Sequence, residues 1–140
     1  MVVLLFIEDD KMGKTQRAEP KTFEEFWPYY LRAHSRPETR ALHYAATTIV
    51  AGSFAAWLVT RKNRYLASTL LGITPAWFAH FTIEHNKPVA LDHPVWSICA
   101  DLLMFSKWVS GGLDDELRRA GIEDNAKASA QRAVERLSPF

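Results

Sequence analysis

The sequence predicts an all-α protein, an integral membrane helical bundle built on a transmembrane hairpin. An interfacial helix precedes the hairpin and a third, partly immersed helix follows it. Three observations carry this expectation. From Tyr44 to Thr60 the chain runs 17 residues without a formal charge, and from Tyr65 to Ile83 it runs 19 more without Asp, Glu, Lys or Arg. Only Arg61-Lys62-Asn63-Arg64 separates the two runs. Four of the five histidines flank these runs at the end away from that tetrapeptide, and the fifth lies inside the second run.

A bilayer crossing needs roughly 20 predominantly apolar residues, with about 17 as the lower limit, and two such runs joined by a tight polar turn read as a helical hairpin. Trp57, Tyr65 and Trp77 suit interfacial belts, and Gly72 and Pro75 are tolerated in membrane helices. The plainer alternative is a soluble chain with two helices apolar on every face; it fails if the protein needs detergent to leave membranes. Chain length, 140 residues, bounds the protein to one domain. With 17 Lys+Arg against 16 Asp+Glu there is no basic surface of the kind nucleic acid requires, so no nucleic-acid partner is expected. Cys99 is the lone cysteine, which excludes an intramolecular disulfide framework and a CxxC zinc site. Mean hydropathy, −0.15, looks soluble only because the apolar residues are concentrated in the middle.

Residues 1–21 are expected to form a disordered N-terminal extension. Val2–Ile7 is too short for a signal-peptide core and is followed by Glu8-Asp9-Asp10, with no small-residue cleavage site. The hexamer fits nothing downstream, which makes Met12 a candidate true start. The intact mass of protein expressed from its native gene tests this, and a mass matching Met1 ends it.

Thr22-Phe23-Glu24-Glu25 is a capping box, in which the threonine oxygen and the Glu25 carboxylate satisfy free amides at a helix start. The following FEEFWPYYLRA carries Phe26, Trp27, Tyr29 and Tyr30, and is too short and too charged to span. It is expected at the membrane surface; an ordinary aromatic core helix is the alternative. Ser35-Arg36-Pro37-Glu38 repeats the capping signal with Pro37 in the first turn, and predicts a helix over Pro37–Thr60. The second spanning helix is expected over Tyr65–Asn86, stopped by Lys87-Pro88 because the residue before proline is pushed out of the helical region. A third helix is predicted from Pro94 to Ser110, closed by Gly111-Gly112; Asp101 and Lys107 weaken it as a span. The membrane-embedded unit is thus placed at residues 22–112. Residues 113–140 hold six acids and five bases and are expected as a polar, solvated helical tail that frays at its end.

Helices joined by a tight turn run antiparallel, so residues equidistant from the turn share a depth. With the turn centred between Lys62 and Asn63, His43 lies level with residue 82, bracketed by His80 and Glu84. Those two are i and i+4 on one helix and share a face. Imidazoles and a carboxylate converging at one depth suit a divalent transition metal, and two histidines plus one carboxylate with open positions is the habit of non-haem iron(II) oxygenases. Ionisable residues at membrane depth are costly and usually functional. Plainer readings stand beside this one. His34 and His43 are also suited to backbone hydrogen bonds at the interface, and His80 with Glu84 to a buried ion pair; His85 and His93 read as solvated loop residues. Three roles are open to Asp101: metal ligand, partner orienting a histidine, or helix–helix acceptor. We favour the second. Arg40 fits either a substrate carboxylate or lipid headgroups. Cys99 reads as packing. No glycine-rich phosphate loop or GxSxG elbow is present.

Three motifs in order, FWPYYLRAHSRPETRALHY, WFAHFTIEHNKPVAL and PVWSICADLLMF, are similar to those of the small integral membrane proteins related to the yeast 2-hydroxy fatty acid dioxygenase. The resemblance covers about Phe23 to Val109. The family pattern matches here at His34, Arg40, His43, His80, Glu84, Asn86, Pro88, Pro94, Trp96, Ser97 and Asp101. The chain departs from it at Tyr44-Ala45-Ala46, where glycine is usual, and at Ala79-His80-Phe81, where Gly-His-Phe is usual. His85 stands where lysine is frequent, which argues against it as a ligand. The resemblance implies an iron(II)-dependent dioxygenase of fatty acid α-oxidation, using molecular oxygen to turn a 2-hydroxy fatty acid into the acid one carbon shorter. It implies His34, His43 and His80 as metal ligands, Glu84 as fourth ligand or base, Asp101 orienting a histidine and Arg40 steering the substrate carboxylate. The competing function is a non-catalytic multi-pass membrane protein whose polar residues fasten helices or bind lipid. His43→Ala separates the two: metal lost with the fold intact supports the enzyme, and lost folding with no metal ever present supports the other. Arg32, Arg36, Arg40 and Lys87 on the histidine side against Arg61, Lys62 and Arg64 in the turn give no orientation by the positive-inside rule.

Overall fold

The computed structural model describes residues 19–123, which form helices and turns with no strand among the described residues. The expected N-terminal disorder, the Met12 start and the frayed end of the tail lie outside these residues, apart from residues 19–21. Helix α1 spans Phe23–Ala33, α2 Pro37–Thr60, α3 Arg64–Ala79, α4 Pro94–Ser110 and α5 Leu113–Arg119. A π-turn, His80–Glu84, extends α3, and a short 3₁₀ turn, Val89–Leu91, leads into α4.

α1 begins with a capping box in which the Glu25 carboxylate reaches one residue beyond the cap. Thr22 Oγ1 accepts from the Glu25 amide at 3.2 Å, and the Glu25 carboxylate accepts from the Lys21 amide at 2.8 Å. The helix ends at His34. Arg36 is then held extended (φ −88°, ψ 137°), as a residue before proline must be, and Pro37 opens α2. The aromatic face of α1 does not lie outward. Phe26 and Tyr30 are fully buried, and Phe26 meets Trp96 of α4 with ring centroids 5.4 Å apart. Packing against α4 and α5 gives α1 the part of an aromatic core helix rather than of a surface helix.

α2 and α3 form the antiparallel hairpin, with Arg61 in the left-handed region (φ 56°) closing the turn. Small residues set their approach. A Cβ on Gly72 would lie 2.7 Å from Val50 Cγ2 and 3.1 Å from the Ala46 carbonyl oxygen, so only glycine lets the backbones come this close. α2, with α3 and its π-turn, gives two helices long and apolar enough to cross a membrane, and only 11% and 22% of their apolar windows are buried. Leu70, Leu71 and Phe78 on α3 are exposed, as are Val95, Ile98 and Leu102 on α4.

Three expectations are corrected here. Helix α3 stops short of Asn86: the π-turn ends at Glu84, and the next residue, His85, is left-handed (φ 55°), before Lys87-Pro88 can act. Ser35 does not cap α2. Arg36 is the cap residue and makes no side-chain cap bond, while Ser35 Oγ donates to Glu84 at 2.8 Å. The stretch after Gly112, expected to be solvated, is partly core: Leu113, Leu117, Ala120 and Ile122 are buried against α1 and α4. Their spacing is that of a short amphipathic helix, which the many charges of the segment disguise.

Candidate metal centre

Three elements bring three histidines to one point. His34 is the cap residue at the end of α1, His43 lies two turns into α2, and His80 opens the π-turn of α3. Their ring centroids are 4.3 Å (His34–His43), 4.6 Å (His34–His80) and 5.2 Å (His43–His80) apart, with the ring planes nearly perpendicular. One nitrogen from each lies within 4.8 Å of the others, and all three residues are buried.

Each ring is fixed through its Nδ1. His34 Nδ1 is 2.7 Å from the Tyr30 carbonyl, His43 Nδ1 is 2.7 Å from Asp101 Oδ1, and His80 Nδ1 is 2.8 Å from Asn86 Oδ1. All three partners are acceptors, so Nδ1 carries the proton and the Nε2 lone pair is left to face inward. His34 Nε2 and His43 Nε2 are buried and have no hydrogen-bond partner. Buried unpaired nitrogens are costly to leave unmade, and a triad of neutral imidazoles with free lone pairs is the donor set that a zinc, iron, copper or nickel ion takes. The residues present therefore fit a bound transition metal. Burial, followed by the neighbouring His43 and His80 rings, holds His34 well below the usual histidine pKa, which keeps it in the neutral form a ligand needs.

Behind the triad stands a set of supports. Asp101 Oδ1 accepts from both His43 Nδ1 and the Tyr30 hydroxyl. Burial and the Asp101 charge raise the Tyr30 pKa well above 10, so the phenol stays a donor. Asn86 takes His80 Nδ1 on its carbonyl oxygen and donates its amide to the Ala33 carbonyl at 3.0 Å, tying the π-turn to the end of α1. Arg40, buried, donates to the carbonyls of His34 (3.0 Å) and Ser35 (2.7 Å). Glu84 takes Ser35 Oγ and, at 2.7 Å, the amide of Arg36 at the start of α2.

The structure thus brings His34, His43, His80 and Asp101 together. It places Glu84 on the amide and hydroxyl of the α1–α2 turn, outside the histidine group. His85 is exposed, and His93 is half-buried and stacks on Trp96 at 5.4 Å. Sequence reasoning missed Tyr30 and the bond from Asn86. Tyr30 sits one turn before His34, a spacing that could have placed it on the same face.

The triad forms the polar end of a cavity of about 760 Å³. Ala46, Val50 and Phe54 of α2 and Ile73 and Ala76 of α3 line it along the hairpin, with Ile98 and Leu102 of α4 opposite. Neither Arg40 nor Glu84, both among the described residues, lines it. A polar, metal-competent end on an apolar trough matches a ligand with one polar head and a long apolar body.

No curated protein and no solved structure matches the chain. The family model described as 2-hydroxy-palmitic acid dioxygenase Mpo1-like matches residues 20–113. That span covers well over half of the chain and includes every histidine of the triad, every support named above and the whole hairpin. The chain belongs to the Mpo1-like family.

Proposed function

We propose that this protein is an iron(II)-dependent dioxygenase, embedded in a membrane by several passes, that converts a 2-hydroxy fatty acid and molecular oxygen to the acid one carbon shorter. The observation that carries the reading is the triad: three imidazoles with Nδ1 already committed, at the end of an apolar cavity. The family name points to the same chemistry. With one O₂ per turnover the atoms balance on the shortened acid, carbon dioxide and water.

His34, His43 and His80 would hold the iron. When bound, it supplies a Lewis acid with open positions and a redox centre for oxygen and the two head oxygens of a 2-hydroxy acid. The chain's own residues do the rest. Asp101 keeps the His43 ring turned and its Nδ1 protonated, which strengthens Nε2 as a donor. Asn86 does the same for His80, and the Tyr30 carbonyl for His34. In this reading Glu84 and Arg40 act on the backbone rather than on substrate. Glu84 binds the first amide of α2 and Arg40 the carbonyls before it, so together they fix the turn that carries His34. The apolar wall takes the acyl chain and keeps water from the head. The apolar, outward-facing surfaces of α2 and α3 support a bilayer around them, since core helices of a soluble protein would be mostly buried.

The test is metal content of protein purified in detergent without air. Near one iron per chain, lost in both His43→Ala and His80→Ala, together with oxygen-dependent consumption of a 2-hydroxy fatty acid, is the expected result. Well-folded protein that takes up no iron even after reconstitution would overturn the reading.

A further inference from the structure

Ser97 differs from most helical hydroxyls of the molecule: among the described residues Thr39 is also buried with its hydroxyl unpartnered, but Thr39 does not line the cavity and Ser97 does. A serine or threonine within a helix ordinarily satisfies its hydroxyl on the carbonyl three or four residues back. Thr48 bonds the Tyr44 carbonyl at 2.8 Å, Ser68 that of Tyr65 at 2.9 Å, Thr82 that of Phe78 at 2.7 Å, and Ser106 that of Leu103 at 2.9 Å. Ser97 lies in α4 and is only 3% exposed, yet its hydroxyl has no partner. It is also part of the cavity wall, one helical turn before Asp101 and so on the same face of α4. A donor buried without a partner is a destabilising feature, and at a cavity wall it is the expected form of a group kept for a ligand.

The rest of the wall says which ligand atom it serves. Among the residues lining the cavity there is no lysine or arginine. The Tyr30 hydroxyl is committed to Asp101, and each histidine Nδ1 to its own acceptor. A carboxylate entering this trough would therefore meet few free donors apart from a metal on the triad, and an ionised group left unpaired there is heavily penalised. We propose that Ser97 binds the substrate carboxylate, its hydroxyl donating to a carboxylate oxygen of the 2-hydroxy acid and so selecting acids over uncharged lipids with the same chain. The proposal rests on the cavity being the acid's site, as read above. It adds a substrate-binding residue beyond the metal ligands and their supports.

Ligand binding tests it directly, because Trp77 lines the same cavity and its fluorescence reports occupancy. Two probes of equal chain length are compared in detergent-purified protein: a long-chain 2-hydroxy fatty acid and the corresponding 1,2-diol, which lacks the carboxylate. Ser97→Ala is expected to weaken the acid by roughly tenfold to a hundredfold, as for one lost charge-assisted hydrogen bond, and to leave the diol within about twofold. Ser97→Thr keeps the hydroxyl and is expected to restore acid binding. Without ligand, Ser97→Ala should unfold at the same temperature as the parent protein or higher, since it removes an unsatisfied buried donor. A variant that unfolds earlier and loses both probes together would make Ser97 structural and overturn the proposal. Unchanged acid binding in Ser97→Ala, or no acid binding by the parent protein, overturns it as well. The outcome is separable from the iron reading. Acid binding that depends on Ser97 in a protein that holds no iron leaves the subsite standing without the reaction. Turnover unaffected by Ser97→Ala leaves the reaction standing without the subsite.

Discussion

The two ends of the α2–α3 hairpin obey opposite rules. Near the Arg61–Arg64 turn, Phe54, Leu58 and Val59 are exposed, and midway along the hairpin the close approach of the helices is made at Gly72. At the other end, His34, Thr39, Arg40, His43 and His80 are buried, and bonds such as His43 to Asp101 and Asn86 to the Ala33 carbonyl cross between elements. Apolar side chains face out along the shaft and polar ones face in at the base, the reverse of a soluble protein. The difference teaches where each end draws its stability. Burial of apolar surface can hold together the aromatic core of α1, α4 and α5, whereas the outward-facing apolar shaft relies on close packing and the base on hydrogen bonds.

The sharpest way to break the base is Asp101→Asn. Asparagine can still accept from the Tyr30 hydroxyl or the His43 ring, but it removes the negative charge that both bonds share. Loss of such a support costs about tenfold to a hundredfold in metal affinity. Iron titration of the apo protein, with a chelator to set free metal, should show that loss with helix content unchanged. An affinity equal to the parent's would mean that Asp101 fastens α1 to α2 and α4 and does nothing for the metal.

The same contrast sorts what could be read from the sequence. The shaft was legible: uncharged runs bounded by Arg61-Lys62-Asn63-Arg64 place the two long apolar helices, and Pro37, Pro94 and Gly111 punctuate helices at the residues where they begin and end. Part of the base was legible too, because antiparallel register alone puts His43 level with the region of His80. Asp101, which the sequence left with three possible roles, lies 2.7 Å from His43 Nδ1. The remainder depended on contacts distant in sequence. No local rule shows that α3 widens into a π-turn, or that the Glu84 carboxylate accepts from the amide of Arg36, 48 residues away. The aromatic face of α1 has the composition of an interfacial helix, and only its packing against Trp96 and Leu117 makes it core. Ser97 reads as an ordinary helical serine until its neighbours' bonds are compared with its own.

Along the shaft, Gly72→Ala is the corresponding test. The new methyl would sit 2.7 Å from Val50 Cγ2, a side-chain end that can yield, and also 3.1 Å from the Ala46 carbonyl oxygen, which is backbone and cannot yield without spreading the helices. Overpacking of this kind costs about 1–3 kcal/mol. Unfolding in detergent should register that loss, and since Ala46, Val50 and Gly72 all line the cavity, acyl-chain binding should weaken with it. Unchanged stability would mean that the hairpin is held loosely, against the close packing argued for it.

The smallest expected effect belongs to the soluble-like core, at Glu116. Its carboxylate accepts from Trp27 Nε1 at 3.0 Å and from Lys107 Nζ at 3.1 Å, joining α5 to α1 and α4. The Trp27 hydrogen bond first, and the one from Lys107 next, hold its pKa below the ordinary carboxylate value of 4.5. A carboxyl group with a lowered pKa in the folded state contributes stability that is fully present above its unfolded pKa and is lost as pH falls through the folded value. Glu116→Gln should therefore destabilise the protein by about 1 kcal/mol at neutral pH, the worth of an ordinary hydrogen bond. The difference should vanish on acidification below that carboxylate range, where the parent's own carboxyl is protonated. Because these bonds lie outside the shaft and the triad, iron content should not change. A Glu116→Gln protein that loses iron in step with stability would tie the metal centre to the α1–α5 contact and erase the division between base and core.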